Sequence, residues 1–254
     1  VVNNEDKYPM MSVFKLHQAV ALSHKLDAEG ISLDTVICMN RNFLDPDTWS
    51  PMLKDYSDPE ICLPVSKLME YTLQLSDNNA SNEMFRQLMP PGACDSYIAT
   101  LIPRNSFRIK HTEAEMKRDH SLAYANHTSP LGAASLIHRL YTDSLLSLEK
   151  QRFLQETLQH CGTGMDRISE PLQGIDGIRI GHKTGSGYRN ERGELTAHND
   201  VAFVLLPNGI RYSLAVLIKD IPGTEAEASA IISRISRTVW GVLKNVDGSE
   251  CLRL

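Results

Sequence analysis

The sequence predicts an α+β fold on three observations. Amphipathic helical segments fill its first two thirds, a strand–turn–strand hairpin follows, and one capped helix closes it. Taken in order, residues 12–26 carry Val13, Leu16, Val20 and Leu26 at helical spacing. Residues 65–75 and 79–88 read as two helices on either side of a polar Ser-Asp-Asn-Asn turn, and 131–141 and 148–158 add two more. The pattern then changes. Residues 178–182 and 201–206 read as strands, Pro207-Asn208-Gly209 as a turn, and 211–218 as the returning strand of a hairpin. Thr224 with Glu227 makes a capping box, which opens a last helix with Ile231, Ile235, Val239 and Val242 on one face. One domain, 1–254, is expected, with a helical lobe over roughly 24–165 and a sheet lobe from the N-terminal segment and roughly 166–254. A cleft between two such lobes is a usual place for a site.

Composition narrows the function. A chain of 254 residues can bury a full core. The net charge of −5 argues against nucleic acid or an anionic membrane as the main partner. No apolar run approaches the roughly 18 residues that span a bilayer. The opening VVNNEDKYPM has neither the basic nor the apolar region of an export signal. Five cysteines, Cys38, Cys62, Cys94, Cys161 and Cys251, are scattered without a CxxC pair, so they read as buried thiols with or without one disulfide. The nine histidines include no HxH or HExxH. A zinc hydrolase therefore has no ligand set, and neither metal nor cofactor is expected.

Three short motifs carry chemistry. Ser12-Val13-Phe14-Lys15 places a serine and a lysine on one helical face, so the amine can reach the hydroxyl. A serine becomes a nucleophile when a base takes its proton, and a lysine serves as that base if burial or a neighbouring positive charge lowers its pKa. Alone, the same spacing is equally an exposed helical face. Ser76-Asp77-Asn78 offers a hydroxyl to relay a proton and an amide to hold a carbonyl, or simply a helix cap. Lys183-Thr184-Gly185, followed by Ser186, ends a strand: lysine and threonine there can grip a carboxylate and glycine lets a substrate approach, or a strand runs into a glycine turn.

Together, in this order and spacing, the three resemble the penicillin-recognising set. The whole sequence resembles the class A serine β-lactamases, and more narrowly their Bacteroidetes-type extended-spectrum cephalosporinase branch. Tyr8-Pro9-Met10-Met11, His182 and Asn199-Asp200 point to that branch. The resemblance implies the β-lactamase/penicillin-binding, transpeptidase-like fold: an antiparallel sheet flanked by helices, with an all-helical lobe. It implies Ser12 as acylated nucleophile, Lys15 as its partner base, Ser76 as proton relay and Asn78 as the contact to the substrate amide. Lys183, Thr184 and Ser186 fall on the binding strand, and the N–H groups of Ser12 and Ser186 form the oxyanion hole. Trp49 falls on an aromatic residue that gates the cleft, though read by itself it is ordinary packing. Arg167 falls on an arginine that binds the substrate carboxylate, a task suited to a bidentate guanidinium, or it is a surface residue.

Glu113 falls in the register of the omega-loop glutamate that activates the deacylating water. The text around it departs from the family: Ala114 replaces a proline, Lys117 replaces an asparagine that holds the water, and the arginine–aspartate clasp of the loop falls on His111 and Asn126. Without the proline, a trans peptide after Glu113 is expected. Glu115 is a rival base. Only 11 residues precede Ser12, and the resemblance implies an N-terminal helix and first strand that are missing here, as in a trimmed sequence. The resemblance also implies a periplasmic, monomeric enzyme acting on small-molecule penicillins and cephalosporins. Two rivals share the motifs, a D,D-peptidase and a penicillin sensor that acylates without turning over. Gly187 beside Ser186 hints at room for bulky cephalosporin side chains. Met11 and Gly187 stand where some carbapenem-hydrolysing members carry a cysteine pair.

Overall fold

The computed structural model describes residues 1–246; Cys251 and the end of the 1–254 domain lie outside the described residues. The chain enters through β1 (Tyr8–Pro9) and a 3-10 turn, Met11–Val13, that opens α1 (Phe14–Ala28). Next come β2 (Val36–Asn40), α2 (Met52–Asp55) and β3 (Glu60–Pro64), followed by α3 (Val65–Gln74), α4 (Asn78–Gln87) and α5 (Pro91–Ile98). The middle holds β4 (Phe107–Arg108), α6 (Glu113–Arg118), β5 (His127–Thr128), α7 (Pro130–Thr142) and α8 (Leu148–Gln159). The end is β6 (Arg179–Ser186), β7 (Leu195–Leu205), β8 (Arg211–Ile221) and α9 (Glu225–Leu243).

Local chemistry sets many of these boundaries. Asp77, Ser129 and Ser147 each accept a hydrogen bond from a first-turn N–H of α4, α7 and α8. Thr224 and Glu227 form the expected capping box of α9, and Thr112 with Glu115 forms another on α6. Helix α1 is buried on every side from Phe14 to Ser23, which marks it as central rather than as a surface helix. It packs against α3, α5, α7 and α8, with Phe14 stacked on Phe85 at 5.8 Å. The main sheet is antiparallel in the order β6-β7-β8. A second cluster, with Ile168, Ala202, Val204, Leu206 and Ile232, fills the space between this sheet and α9.

Four features differ from the expected elements. Strand β6 runs on through Ser186, because Gly181 and Gly185 are close approaches and not breaks. A Cβ at 181 would strike the Tyr141 hydroxyl, and one at 185 would strike the Met10 carbonyl. Strand β7 starts at Leu195 and is buried almost throughout, so it lacks the alternation that would have announced it. The hairpin of β2 and β3 joins strands 19 residues apart in sequence, too far for a turn signal. Finally, α9 buries Ala228, Ile232 and Ser236 against the sheet, while Ile235 and Val242 of the expected apolar face stand 39% and 63% exposed.

Cys38 and Cys62 sit directly opposite each other on β2 and β3 and are joined by a disulfide; Cys94 and Cys161 are free and buried. The bond closes a 24-residue separation. Replacing both cysteines by serine should therefore cost about 3 kcal/mol of stability through the freed unfolded chain. A urea midpoint equal to that of the parent protein would show that the bond contributes nothing.

Candidate active site

The site lies where the turn before α1 meets the edge strand β6, the loop before α4 and the start of α6. Gly185 lets β6 come this close: a Cβ there would also stand 3.2 Å from the Ser12 N–H nitrogen. Asn199 on β7 fixes the approach from the other side, donating from Nδ2 to the carbonyls of Pro9 (2.8 Å) and Met10 (3.2 Å). The next residue, Met11, takes φ +44°, a left-handed conformation that a non-glycine residue adopts only when its surroundings compel it. Ser76, which turns the chain between α3 and α4, does the same at φ +58°.

Ser12 lies half-buried at the head of α1. Its hydroxyl donates to Glu113 Oε1 at 2.9 Å and accepts from Lys15 Nζ at 3.1 Å. Lys15 is fully buried. It also donates to the Ser76 carbonyl (2.8 Å) and to Asn78 Oδ1 (2.6 Å), and it lies 3.1 Å from Glu113 Oε1. Burial pulls the Lys15 pKa down, with the carboxylates of Glu113 and Asp77 resisting. From the far side Lys183, also fully buried, donates to Ser76 Oγ at 3.1 Å and to the Thr184 carbonyl at 2.9 Å. Burial, with Lys15 adding to it, brings the Lys183 pKa down to about 8, against the pull of nearby anions.

Above these two lysines opens a cleft of about 500 Å³. It is lined by Ser12, Trp49, Ser76, Asn78, Glu113, Arg167, Thr184 and Ser186, which are eight of the ten candidate residues; Lys15 and Lys183 form its buried floor. Trp49 is 56% exposed at the rim, held by Nε1 donating to the Leu75 carbonyl at 2.8 Å. Arg167 is buried, not a surface residue. It donates to Ser186 Oγ (2.6 Å) and to the carbonyls of Asn199 (2.7 Å) and Gly185 (3.3 Å). The capping reading of Ser76-Asp77-Asn78 also has its place. Asp77 caps α4 and accepts from Ser50 and the Met52 N–H, which leaves Ser76 and Asn78 to face the cleft.

The altered omega loop is held by other means. Asn126, wholly buried, accepts from the N–H groups of Lys110 (2.8 Å) and His111 (2.9 Å) and donates to the His111 carbonyl (2.8 Å). Lys117 reaches Asp45 at 2.7 Å. Among the described residues no peptide bond is cis, so the bond after Glu113 is trans. Glu115 turns back to its own capping box, where Oε2 accepts from the Thr112 N–H at 2.8 Å. Several residues around the cleft carried no motif signal. Thr48 accepts from Asn78 Nδ2 at 2.9 Å, Thr163 bonds Thr184 at 2.6 Å, and His120 stacks on Tyr188 at 3.5 Å. Only their placement by the fold reveals them.

Residues 1–243 match the model of the β-lactamase enzyme family. A β-lactamase of Phocaeicola vulgatus is 57% identical over 242 residues, which cover 95% of this chain and 75% of that protein. An extended-spectrum β-lactamase of Pseudomonas aeruginosa, PER-1, is 32% identical, with 94% of this chain and 77% of that protein covered. The crystal structure of a representative class A β-lactamase from Bacteroides cellulosilyticus superposes with a TM-score of 0.89 at 31% identity, covering 96% of this chain and 87% of that one. A full-length family match, a shared fold and a serine held between a buried lysine and a carboxylate agree, and the chain belongs to the β-lactamase enzyme family as a class A serine β-lactamase, a hydrolase of the β-lactam ring.

Proposed function

We propose that the chain hydrolyses penicillins and cephalosporins through an acyl-enzyme on Ser12, with Lys15, Ser76 and Glu113 moving the protons. The observation that carries this reading is the Ser12 hydroxyl donating to Glu113 while Lys15 donates to the same hydroxyl oxygen. In this arrangement Glu113 is the acceptor already in place for the serine proton, and Lys15 supplies the positive charge that steadies the forming alkoxide. Ser12 Oγ attacks the lactam carbonyl carbon and the C–N bond breaks. Glu113 passes that proton on through Lys15, which lies 3.1 Å from Glu113 Oε1 and 3.5 Å from Ser76 Oγ, and Ser76, held by Lys183, gives its own proton to the departing nitrogen, so that Glu113 ends acylation as a carboxylate. The N–H groups of Ser12 and Ser186 receive the oxyanion.

Once Ser12 is acylated its hydroxyl no longer donates to Glu113. That oxygen is then free to accept from a water, which it activates to release the acid. Asn78 holds the substrate amide; Lys183, Thr184, Ser186 and Arg167 hold its carboxylate; and Trp49 covers the cleft. The engagement of Glu115 in its cap supports Glu113 over that rival. A carboxylate at hydrogen-bond distance from the nucleophile favours a hydrolase over a D,D-peptidase or a sensor, which acylate without an efficient deacylating base.

The net charge of −5 disfavours nucleic acid as a partner, and the local cations Lys183 and Arg167 are what would receive a small anionic drug. One chain supplies every residue of the proposed mechanism, so a monomer suffices for the chemistry. No helix of the described residues is long and apolar enough to cross a membrane. A cross-strand disulfide supports an oxidising compartment, and we assign the enzyme to the periplasm. The test is intact-protein mass spectrometry of rapidly quenched mixtures with a penicillin, followed by digestion. A transient adduct carrying the whole drug mass is expected on the peptide that contains Ser12. An adduct on another peptide would overturn the assignment of the nucleophile, and one that never decays would favour the sensor.

A further inference from the structure

Next to the cleft, around Thr184 of β6, lies a second buried polar cluster that the proposed reaction leaves unused. Asp200 on β7 is the cross-strand partner of Thr184 and is fully buried. Its Oδ1 lies 3.0 Å from His182 Nδ1, and its Oδ2 accepts from the Ile168 N–H at 3.0 Å. Cys161, just beyond α8, is 5% exposed and stands beside His182; its Sγ lies 3.4 Å from Thr163 Oγ1, which bonds Thr184 Oγ1 at 2.6 Å. Thiol, imidazole and carboxylate are thus gathered at the strand that holds the substrate carboxylate in the mechanism above. Burying three ionisable groups is costly unless they offset one another's charge or another's nearby.

We propose that Cys161, backed by His182 and Asp200, is a positioning residue for hydrolysis: an anionic counter-charge beside β6 that keeps the Lys183 ammonium available to Ser76 and to the substrate carboxylate. This rests on the role given to Lys183 above. The charged groups acting on Lys183 are Lys15 from α1, Glu113 from α6, Cys161 after α8 and Asp200 on β7, while those acting on His182 are Asp200 and Cys161. Those facing Cys161 are His182 and Lys183 on β6 and Arg167 on its own segment. Burial pushes the Cys161 thiol up, but the His182 imidazolium and the Lys183 ammonium outweigh it and bring it to about 7. Burial would likewise discharge His182, yet Asp200 and Cys161 hold it well above its ordinary value.

The signs then agree. Above pH 7 the thiol gives up its proton, and the thiolate forms as Lys183 approaches the pH of about 8 at which it would lose its own. Without the thiolate, Lys183 deprotonates at lower pH. In Cys161→Ser the alkaline limb of kcat/KM is therefore expected to move toward neutrality by about one pH unit, while Cys161→Asp, with a permanent anion, restores it. The ultraviolet difference spectrum between the parent protein and Cys161→Ser should show a thiolate titrating near pH 7. An unmoved limb in a folded Cys161→Ser, or a thiol that titrates where a free cysteine does, overturns the proposal. Lys183→Ala separates the two readings. If that variant keeps the parent rate, the role of Lys183 itself is wrong; if it loses activity while Cys161→Ser keeps the parent profile, only the counter-charge is wrong.

Discussion

A Ser12→Ala variant is expected to lose about 10⁴-fold or more in kcat/KM for a chromogenic cephalosporin, with no covalent adduct at any time. The loss is large because the remaining groups act through the missing oxygen. Glu113 would have no serine proton to take, and Lys15 no alkoxide to steady. Truncation here removes two hydrogen bonds at a half-buried position and leaves the core residues Met11, Val13 and Phe14 untouched, so the melting temperature should change by only a few degrees. Stopped-flow or endpoint rates with purified variant decide the matter. Activity within tenfold of the parent protein would remove Ser12 from the mechanism.

Glu113→Ala should separate the two halves of the reaction. Loss of a positioned general base costs about 10²–10⁴-fold, and here the cost should fall on release of the acid. The expected signature is a burst of about one equivalent followed by slow turnover, with the penicilloyl mass persisting on Ser12. Acylation should slow less, because Lys15 keeps its contacts to the Ser76 carbonyl and Asn78 and can then serve as base. Glu115→Ala is the control. It removes the capping box of α6, worth about 1 kcal/mol, and should leave the chemistry largely intact. Persistent adduct in the Glu115 variant and normal turnover in the Glu113 variant would exchange their roles.

The sequence carried more of the site than of the surroundings that hold it. Ser12 and Lys15, Ser76 and Asn78, and Lys183 to Ser186 are short-range patterns, and a spacing of one helical turn or one strand step can be read directly. The helices were legible from their apolar spacing, and the caps at Asp77 and Thr224 for the same short-range reason; those at Ser129 and Ser147 came only with the structure. What could not be read depends on contacts between distant segments. The pairing of Cys38 with Cys62, the hydrogen bond from Thr163 to Thr184 and the clamp of Asn199 on Pro9 and Met10 have no local signature. Gly185 left a turn and a close approach both open, and Gly181 carried no sign of its neighbour. Glycine ends a strand or admits a close neighbour, and only the neighbours, Tyr141 and Met10, show which. The stripe of Ile231, Ile235, Val239 and Val242 showed a helix but not its buried side, since α9 meets the sheet through the neighbouring stripe of Ala228, Ile232 and Ser236.

The hold on the omega loop has a consequence for how the enzyme meets its medium. Asn126 grips the backbone at residues 110–111 with three hydrogen bonds between uncharged groups in a fully buried setting. Neither partner titrates, and counter-ions have no charge there to screen. The charged tether of the same loop, Lys117 to Asp45, is partly exposed and contributes little by comparison. The seat of Glu113 is therefore expected to keep its shape through swings of salt and acidity in the medium.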